Sequence, residues 1–280
     1  MSVFQVLVLA LLQGVTELFP VSSLGHSVII PSLFHWNVNQ SDPTFLPFLV
    51  LLHVGTATAL VIYFWRDWLG IVQAVGGSAI AGRLKGTPEE RLGWRLILAT
   101  IPVGLVGTLF QKPVQSLFAN PKAAAAFLIV NGAIMFLGER LRRRAVMAEE
   151  GRTPLDRVSM RRAVAIGSAQ ILALLPGISR SGSSMVAGLF ANLTHEAAAR
   201  FSFLLATPVI LGAGVLKIPD LFGPAARGKL PLYLLGGLVS GLAAYVSVAY
   251  LMRYFRVERL DPFAIYCAAF GIFSLILLSR

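Results

Sequence analysis

The chain has 280 residues, 56% of them hydrophobic and only 13% charged, with a mean hydropathy of +0.75. Soluble domains carry about 25% charged residues, so this composition excludes a water-soluble globular protein. The formal charge of +11 could suit nucleic acid, but the Lys and Arg residues lie in short stretches between apolar runs. There they set orientation and meet lipid head groups, so membrane lipids are expected as partners and nucleic acid is not.

Taken in chain order, the N-terminal segment lacks a basic n-region and a small-residue cleavage site, and is expected to be retained. Residues 3–34 are apolar but broken near the middle by FPVSSLGHS. Each half is short for a full crossing, which predicts a re-entrant helical hairpin. Spans are predicted at about 45–65, 93–110 and 122–138. Between the first two, residues 66–92 predict an interfacial helix anchored by Trp65 and Trp68. The arginine cluster 140–144 reads as an orientation signal. A second broken stretch, 163–193, carries LPGISRSGSS, and three more spans follow at about 201–218, 230–252 and 263–279. The single cysteine, Cys267, lies in the last of these, so no intrachain disulfide can form.

The two broken stretches look like copies. At an offset of 156, Leu18/Leu174, Pro20/Pro176, Ser23/Ser179, Ser27/Ser183, Leu33/Leu189 and Phe34/Phe190 are identical, and Phe45/Phe201 continues the register. Each half is then a hairpin followed by three spans. An odd number of crossings turns the second half upside down, the inverted repeat that places a site near the midplane. The expected fold is therefore all-α and polytopic: one membrane domain over 1–280, six transmembrane helices and two re-entrant hairpins, with repeat halves at about 1–138 and 163–280. With Arg180 set aside, 17 basic residues fall on the side of the 66–95, 139–162, 194–200 and 253–261 loops. The other side holds 6, namely Lys112, Lys122, Lys217, Arg227, Lys229 and Arg280. The richer side is expected to be cytoplasmic, with both termini outside.

Only Glu17 among the acidic residues, and only Arg180 among the basic ones, sits well inside an apolar stretch. Ionisable groups at such depth are expensive and point to function, with a structural ion pair as the plain alternative. Gln13 and Glu17 share a helix face at i, i+4. Past the break, Ser22, Ser23 and His26 offer hydroxyl and imidazole groups for nucleophile and base in either order. The second break looks like an anion site. Gly177 and Gly182 let the backbone approach a ligand, and Ser179, Ser181 and Ser184 add hydroxyls. Arg180 can bind phosphate oxygens in bidentate fashion. His53 either packs against a neighbouring span or lines the same cavity. A lipid phosphate or diphosphate is the substrate class that reaches such a site laterally, and phosphoryl transfer needs mainly positioning and charge stabilisation.

These motifs resemble the undecaprenyl-diphosphate phosphatase family, also known as bacitracin-resistance proteins. The first reads Gln13-Gly-Val-Thr-Glu17-Leu-Phe-Pro-Val-Ser22-Ser23-Leu-Gly25-His26, the second is Pro176–Ser184, and an HxGT-like stretch begins at His53. The resemblance covers nearly the whole chain. It implies hydrolysis of undecaprenyl diphosphate to the monophosphate in the bacterial inner membrane, recycling the lipid carrier of peptidoglycan synthesis. By position it carries catalytic roles to Glu17, Ser23, His26 and Arg180. It also implies Mg²⁺ or Ca²⁺, for which Glu17 and Gln13 would be the ligands. Gln13 stands where a glutamate is commoner, weakening that metal site, and Leu24 stands where threonine is usual. In the expected mechanism Ser23 attacks the terminal phosphorus, Glu17 takes its proton directly or through His26, and Arg180 holds the diphosphate opposite Glu17. A phosphohistidine route through His26 stays open, as do a homodimer and an outward-facing cavity. A polyprenyl-phosphate flippase or anion transporter built on the same inverted repeat is the competing class.

Overall fold

A computed structural model describes residues 1–38, 42–110, 117, 120–146, 155, 158–257 and 259–279. Lys112, Arg152, Arg157 and Arg280, which entered the charge count, lie outside the described residues. Among the described residues the structure is helical throughout. Helices α1 (Val3–Thr16) and α2 (Ser23–Leu33) form the first broken stretch, followed by α3 (Phe45–Tyr63), α4 (Trp65–Ala81), α5 (Pro88–Leu109) and α6 (Pro121–Val146). The second half runs through α7 (Met160–Ser168), a 3₁₀ turn (Ala169–Leu174), α8 (Arg180–Phe190), α9 (His195–Lys217), α10 (Leu230–Tyr254) and α11 (Asp261–Leu278).

Among the described residues six helices, α3, α5, α6, α9, α10 and α11, are long and apolar enough to cross a membrane. They coincide with the six predicted spans, but several run further into polar sequence. Helix α5 begins at Pro88 because the Thr87 side chain accepts from the Glu90 amide at 3.2 Å and proline suits the first turn. Helix α9 likewise starts at His195 behind a Thr194 cap. The 66–92 connection contains α4, which closes on Gly82 in the left-handed conformation and leaves Leu69, Val72 and Ile80 exposed.

Helix α1 spans 14 residues and α2 spans 11, about 21 and 16 Å, well short of the roughly 30 Å hydrocarbon core. They fold back on each other, so that Phe4 at the start of α1 meets Trp36 beyond the end of α2, ring centroids 6.0 Å apart. A Ser2–Gln5 capping box opens α1.

Helix contacts recur in mated sets. Helix α1 packs on α10 and α7 on α5, α3 on α10 and α9 on α5, α3 on α9 and α6 on α11, so each of these contacts joins one of α1–α6 to one of α7–α11. Ion pairs gather at one end of the molecule: Arg200–Asp67 at 2.7 Å, Arg256–Glu196 at 3.2 Å, His195–Glu139 at 2.7 Å, and Arg143–Asp261. These link the loops that the charge count puts on the basic side. Lys229 and Asp42 pair at the opposite end, 3.4 Å apart.

Small residues allow the close approach of α3 and α10. A Cβ on Gly55 would fall 2.1 Å from the Gly237 carbonyl oxygen, so even one methyl must push the two backbones apart. Gly55→Ala is therefore expected to cost about 1–3 kcal/mol and to lower the midpoint of thermal unfolding in detergent. Gly104→Ala, where nothing lies within 4 Å, should leave that midpoint unchanged or slightly raised.

Candidate active site

The two breaks meet. A Cβ on Gly25 would lie 2.9 Å from the Gly177 Cα, and one on Gly182 would lie 3.3 Å from the Pro20 side chain. Each break ends in a serine that caps the helix leaving it. Ser22 accepts from the Gly25 amide at 3.2 Å, and Ser179 accepts from the Gly182 amide at 3.1 Å. These caps correspond at an offset of 157, one more than the 156 of the residue identities. The difference lies in the breaks: one residue, Val21, separates proline from cap in the first, and two, Gly177 and Ile178, in the second. Gly177 absorbs the extra residue at φ 105°, a conformation that favours glycine. Ser22 also has a positive φ of 68°, local strain held by the surrounding contacts.

Asn131 of α6 clamps both breaks. Its Nδ2 donates to the Pro20 carbonyl at 3.1 Å and its Oδ1 accepts from the Ser179 amide at 2.9 Å. Both helix N-termini thereby open on one cavity of about 250 Å³. Its polar wall is Glu17, Ser22, Ser23, His53, Gln170, Ser179 and Arg180, and its apolar wall comes mainly from α9 and the 3₁₀ turn.

Glu17, one residue past the end of α1 and 6% exposed, is the hub of this site. Its Oε1 accepts from Arg180 Nε at 3.2 Å and Nη2 at 3.1 Å. Its Oε2 accepts from Ser23 Oγ at 2.6 Å and Gln13 Nε2 at 3.0 Å, with His53 Nε2 at 3.2 Å. Arg180 also donates from Nη1 to the Ser202 carbonyl at 3.3 Å. Those bonds occupy three of the five guanidinium N–H groups, leaving two for a ligand. The expectation that a substrate separates Glu17 from Arg180 meets a direct ion pair here.

Other predicted residues stand behind the wall. His26 is 1% exposed and does not line the cavity. Its Nδ1 donates to the Ser22 carbonyl at 2.7 Å, Nε2 meets the Tyr266 hydroxyl at 2.8 Å, and the ring stacks on Phe270 with centroids 5.0 Å apart. Ser23 thus bonds to Glu17 rather than to His26. Ser181 donates to the Glu17 backbone carbonyl at 3.2 Å, and Ser184 bonds to the Arg180 carbonyl at 2.8 Å and the Ser202 hydroxyl at 2.7 Å. Gly25, Gly177 and Gly182 shape the crossing, and Gln13 orients Glu17.

Two residues escaped the sequence reading. Gln170 lines the cavity with its Oε1 buried and unpartnered, as is the Oε1 of Gln13. It is the mate of Gln13 at the 157 offset, a signal the 156 register hides. Asn131 was visible only as a lone amide in an apolar span.

As ligands for a divalent cation these residues fit poorly. Glu17 is the one carboxylate on the wall and both its oxygens are engaged. No group of three or more His, Cys, Asp or Glu gathers among the described residues.

The fold and site define a polytopic membrane protein whose buried hydroxyl, carboxylate and guanidinium meet at two helix N-termini, a setting for an anion. The chain matches the family described as bacitracin resistance protein BacA over residues 6–273, and it belongs to that family. It is 53% identical to an undecaprenyl-diphosphatase of Acidiphilium cryptum, covering 96% of this chain and 95% of that one. It is 48% identical to one of Mycolicibacterium paratuberculosis, covering 100% and 98%. It is 47% identical to undecaprenyl-diphosphatase 2 of Chromobacterium violaceum, covering 99% of each chain.

Asn131→Leu removes both clamp bonds while keeping the volume similar, leaving the buried Ser179 amide unpaired and the Pro20 carbonyl with only the Cys267 thiol at 3.9 Å. An unmet buried group costs about 1–3 kcal/mol, so the variant should unfold at lower temperature and lose activity. Wild-type stability would show that the breaks meet without it.

Proposed function

We propose that this chain hydrolyses undecaprenyl diphosphate to undecaprenyl phosphate and inorganic phosphate, recycling the lipid carrier for cell-wall synthesis. The observation that carries this reading is the 2.6 Å bond from Ser23 Oγ to Glu17, whose other oxygen is paired with Arg180. A hydroxyl beside a buried carboxylate base is an activated nucleophile. The names of the relatives agree, and they give no support to a flippase or transporter.

Ser23 Oγ attacks the terminal phosphorus and its proton passes to Glu17. The bond from that phosphorus to the bridging oxygen breaks, and the lipid monophosphate leaves with the electron pair. Water then attacks the phosphoserine and releases phosphate. The free N–H groups of Arg180 and the first amides of α2 and α8 stabilise the transferring oxygens. His26 positions Ser22 and the start of α2 in this scheme, because its ring nitrogens are already occupied by the Ser22 carbonyl and the Tyr266 hydroxyl. No step runs through Mg²⁺ or Ca²⁺, since Glu17 has no free oxygen to offer.

The same reading places both hairpins as re-entrant elements in the bacterial inner membrane, with repeat halves inserted in opposite senses and both termini outside the cytoplasm. The mated helix contacts and the ion pairs at one end support it. Pairing with a second copy belongs to the same proposal, for the exposed apolar residues of α10 and α11 could face either lipid or another chain.

Detergent-solubilised protein should release phosphate from farnesyl diphosphate. Ser23→Ala and Arg180→Ala should each slow that release about 100-fold or more. Binding of the diphosphate without any phosphate release would sink the hydrolase and favour transport.

A further inference from the structure

The protons of the site are constrained by its hydrogen bonds. His53 Nδ1 lies 2.7 Å from the Leu49 carbonyl oxygen, which can only accept, so Nδ1 carries a hydrogen. The other ring nitrogen, Nε2, lies 3.2 Å from Glu17 Oε2. A bare Nε2 would there set its lone pair against a carboxylate oxygen. A proton between them turns that contact into an attractive one, so His53 and Glu17 together hold one exchangeable proton. Glu17 Oε2 is also the atom that accepts from Ser23. The serine hydroxyl, the carboxylate and the imidazole are therefore joined through a single oxygen.

Gln13 sharpens the point. The Gln13 carboxamide cannot take up a proton, and its Nε2 only donates to Glu17. In this chain the second proton carrier beside Glu17 comes instead from α3. His53 lines the cavity with its side chain 23% exposed, against 6% for Glu17, so of the two it is the more open to a ligand. The charged groups acting on it are Glu17 and Arg180.

We propose that His53 is a catalytic residue of this site, the general acid that protonates the departing lipid monophosphate. This rests on the phosphatase reading. As the bond between the terminal phosphorus and the bridging oxygen breaks, the Nε2 proton moves to an oxygen of the lipid monophosphate. The serine proton, taken by Glu17 as the Oγ–P bond forms, passes on to Nε2. His53 thus ends the first half as it began. In the second half, water attacks the phosphoserine. One of its protons reaches the serine oxygen by way of Glu17, and the other stays on the released phosphate.

The test compares wild type with His53→Gln and His53→Ala in the farnesyl diphosphate assay, with folding checked by thermal unfolding. Glutamine can donate to Glu17 but carries no transferable proton. For His53→Gln, kcat should fall about 100-fold while KM stays within about twofold. In His53→Ala, added imidazole should restore kcat by about tenfold or more, and this arm decides the matter if the glutamine variant does not fold. A His53→Gln kcat within about threefold of wild type overturns the proposal, as does a raised KM with kcat unchanged. Loss of kcat without imidazole rescue assigns His53 to holding Glu17 in place and overturns it too. A wild type that releases no phosphate would instead remove the hydrolase reading on which the proposal stands.

Discussion

One carboxylate in an apolar interior organises this molecule. Leaving Glu17 ionised and unpaired at that depth would cost several kcal/mol or more. The structure meets that cost with five contacts from Arg180, Ser23, Gln13 and His53. Those partners come from four elements: α1, α2, α3 and α8. The two broken stretches must therefore be brought within hydrogen-bond distance, which explains the glycine contact at the crossing and the Asn131 clamp. Backbone polar groups freed by the breaks find partners in the same arrangement, as irregular backbone at membrane depth requires.

The arrangement that neutralises Glu17 also prepares the site for an anion of higher charge. Two capped helix N-termini, two unused guanidinium N–H groups and the hydroxyls of Ser22, Ser23 and Ser179 face one cavity. Little must reorganise when charge develops on phosphate oxygens, and preorganised donors in a low-dielectric cavity are the main source of electrostatic catalysis. The apolar wall supplied mainly by α9 and the 3₁₀ turn suits the lipid end of the substrate, so polar head and apolar tail find matching surfaces in one opening.

Much of this was legible in the sequence because membranes make its grammar strict. The six spans followed from length and hydropathy, and Glu17 and Arg180 stood out as lone charges in apolar runs. Helix ends were less legible, since the Thr87 and Thr194 caps extend α5 and α9 into polar sequence. The likeness of the two breaks was visible, but identities counted from the prolines gave a register one residue from that of the serine caps, and this hid Gln170. His26 reads locally as a base for Ser23. Its orientation instead depends on Tyr266, 240 residues away, and no local pattern reports that contact. The pairing of His53 with Glu17 has the same character, because it depends on how α3 packs beside the first break.

The central claim is that Ser23, activated through Glu17, takes the phosphoryl group. Acid-quenched single turnover with a prenyl diphosphate labelled in its terminal phosphate, followed by peptide mass spectrometry, tests it directly. Label should appear on the peptide holding Ser23, survive acid as a phosphoserine ester does, and build up faster than it decays. Acid-labile label on His26 would contradict the account, as would phosphate formed at full rate with no enzyme-bound label at any time.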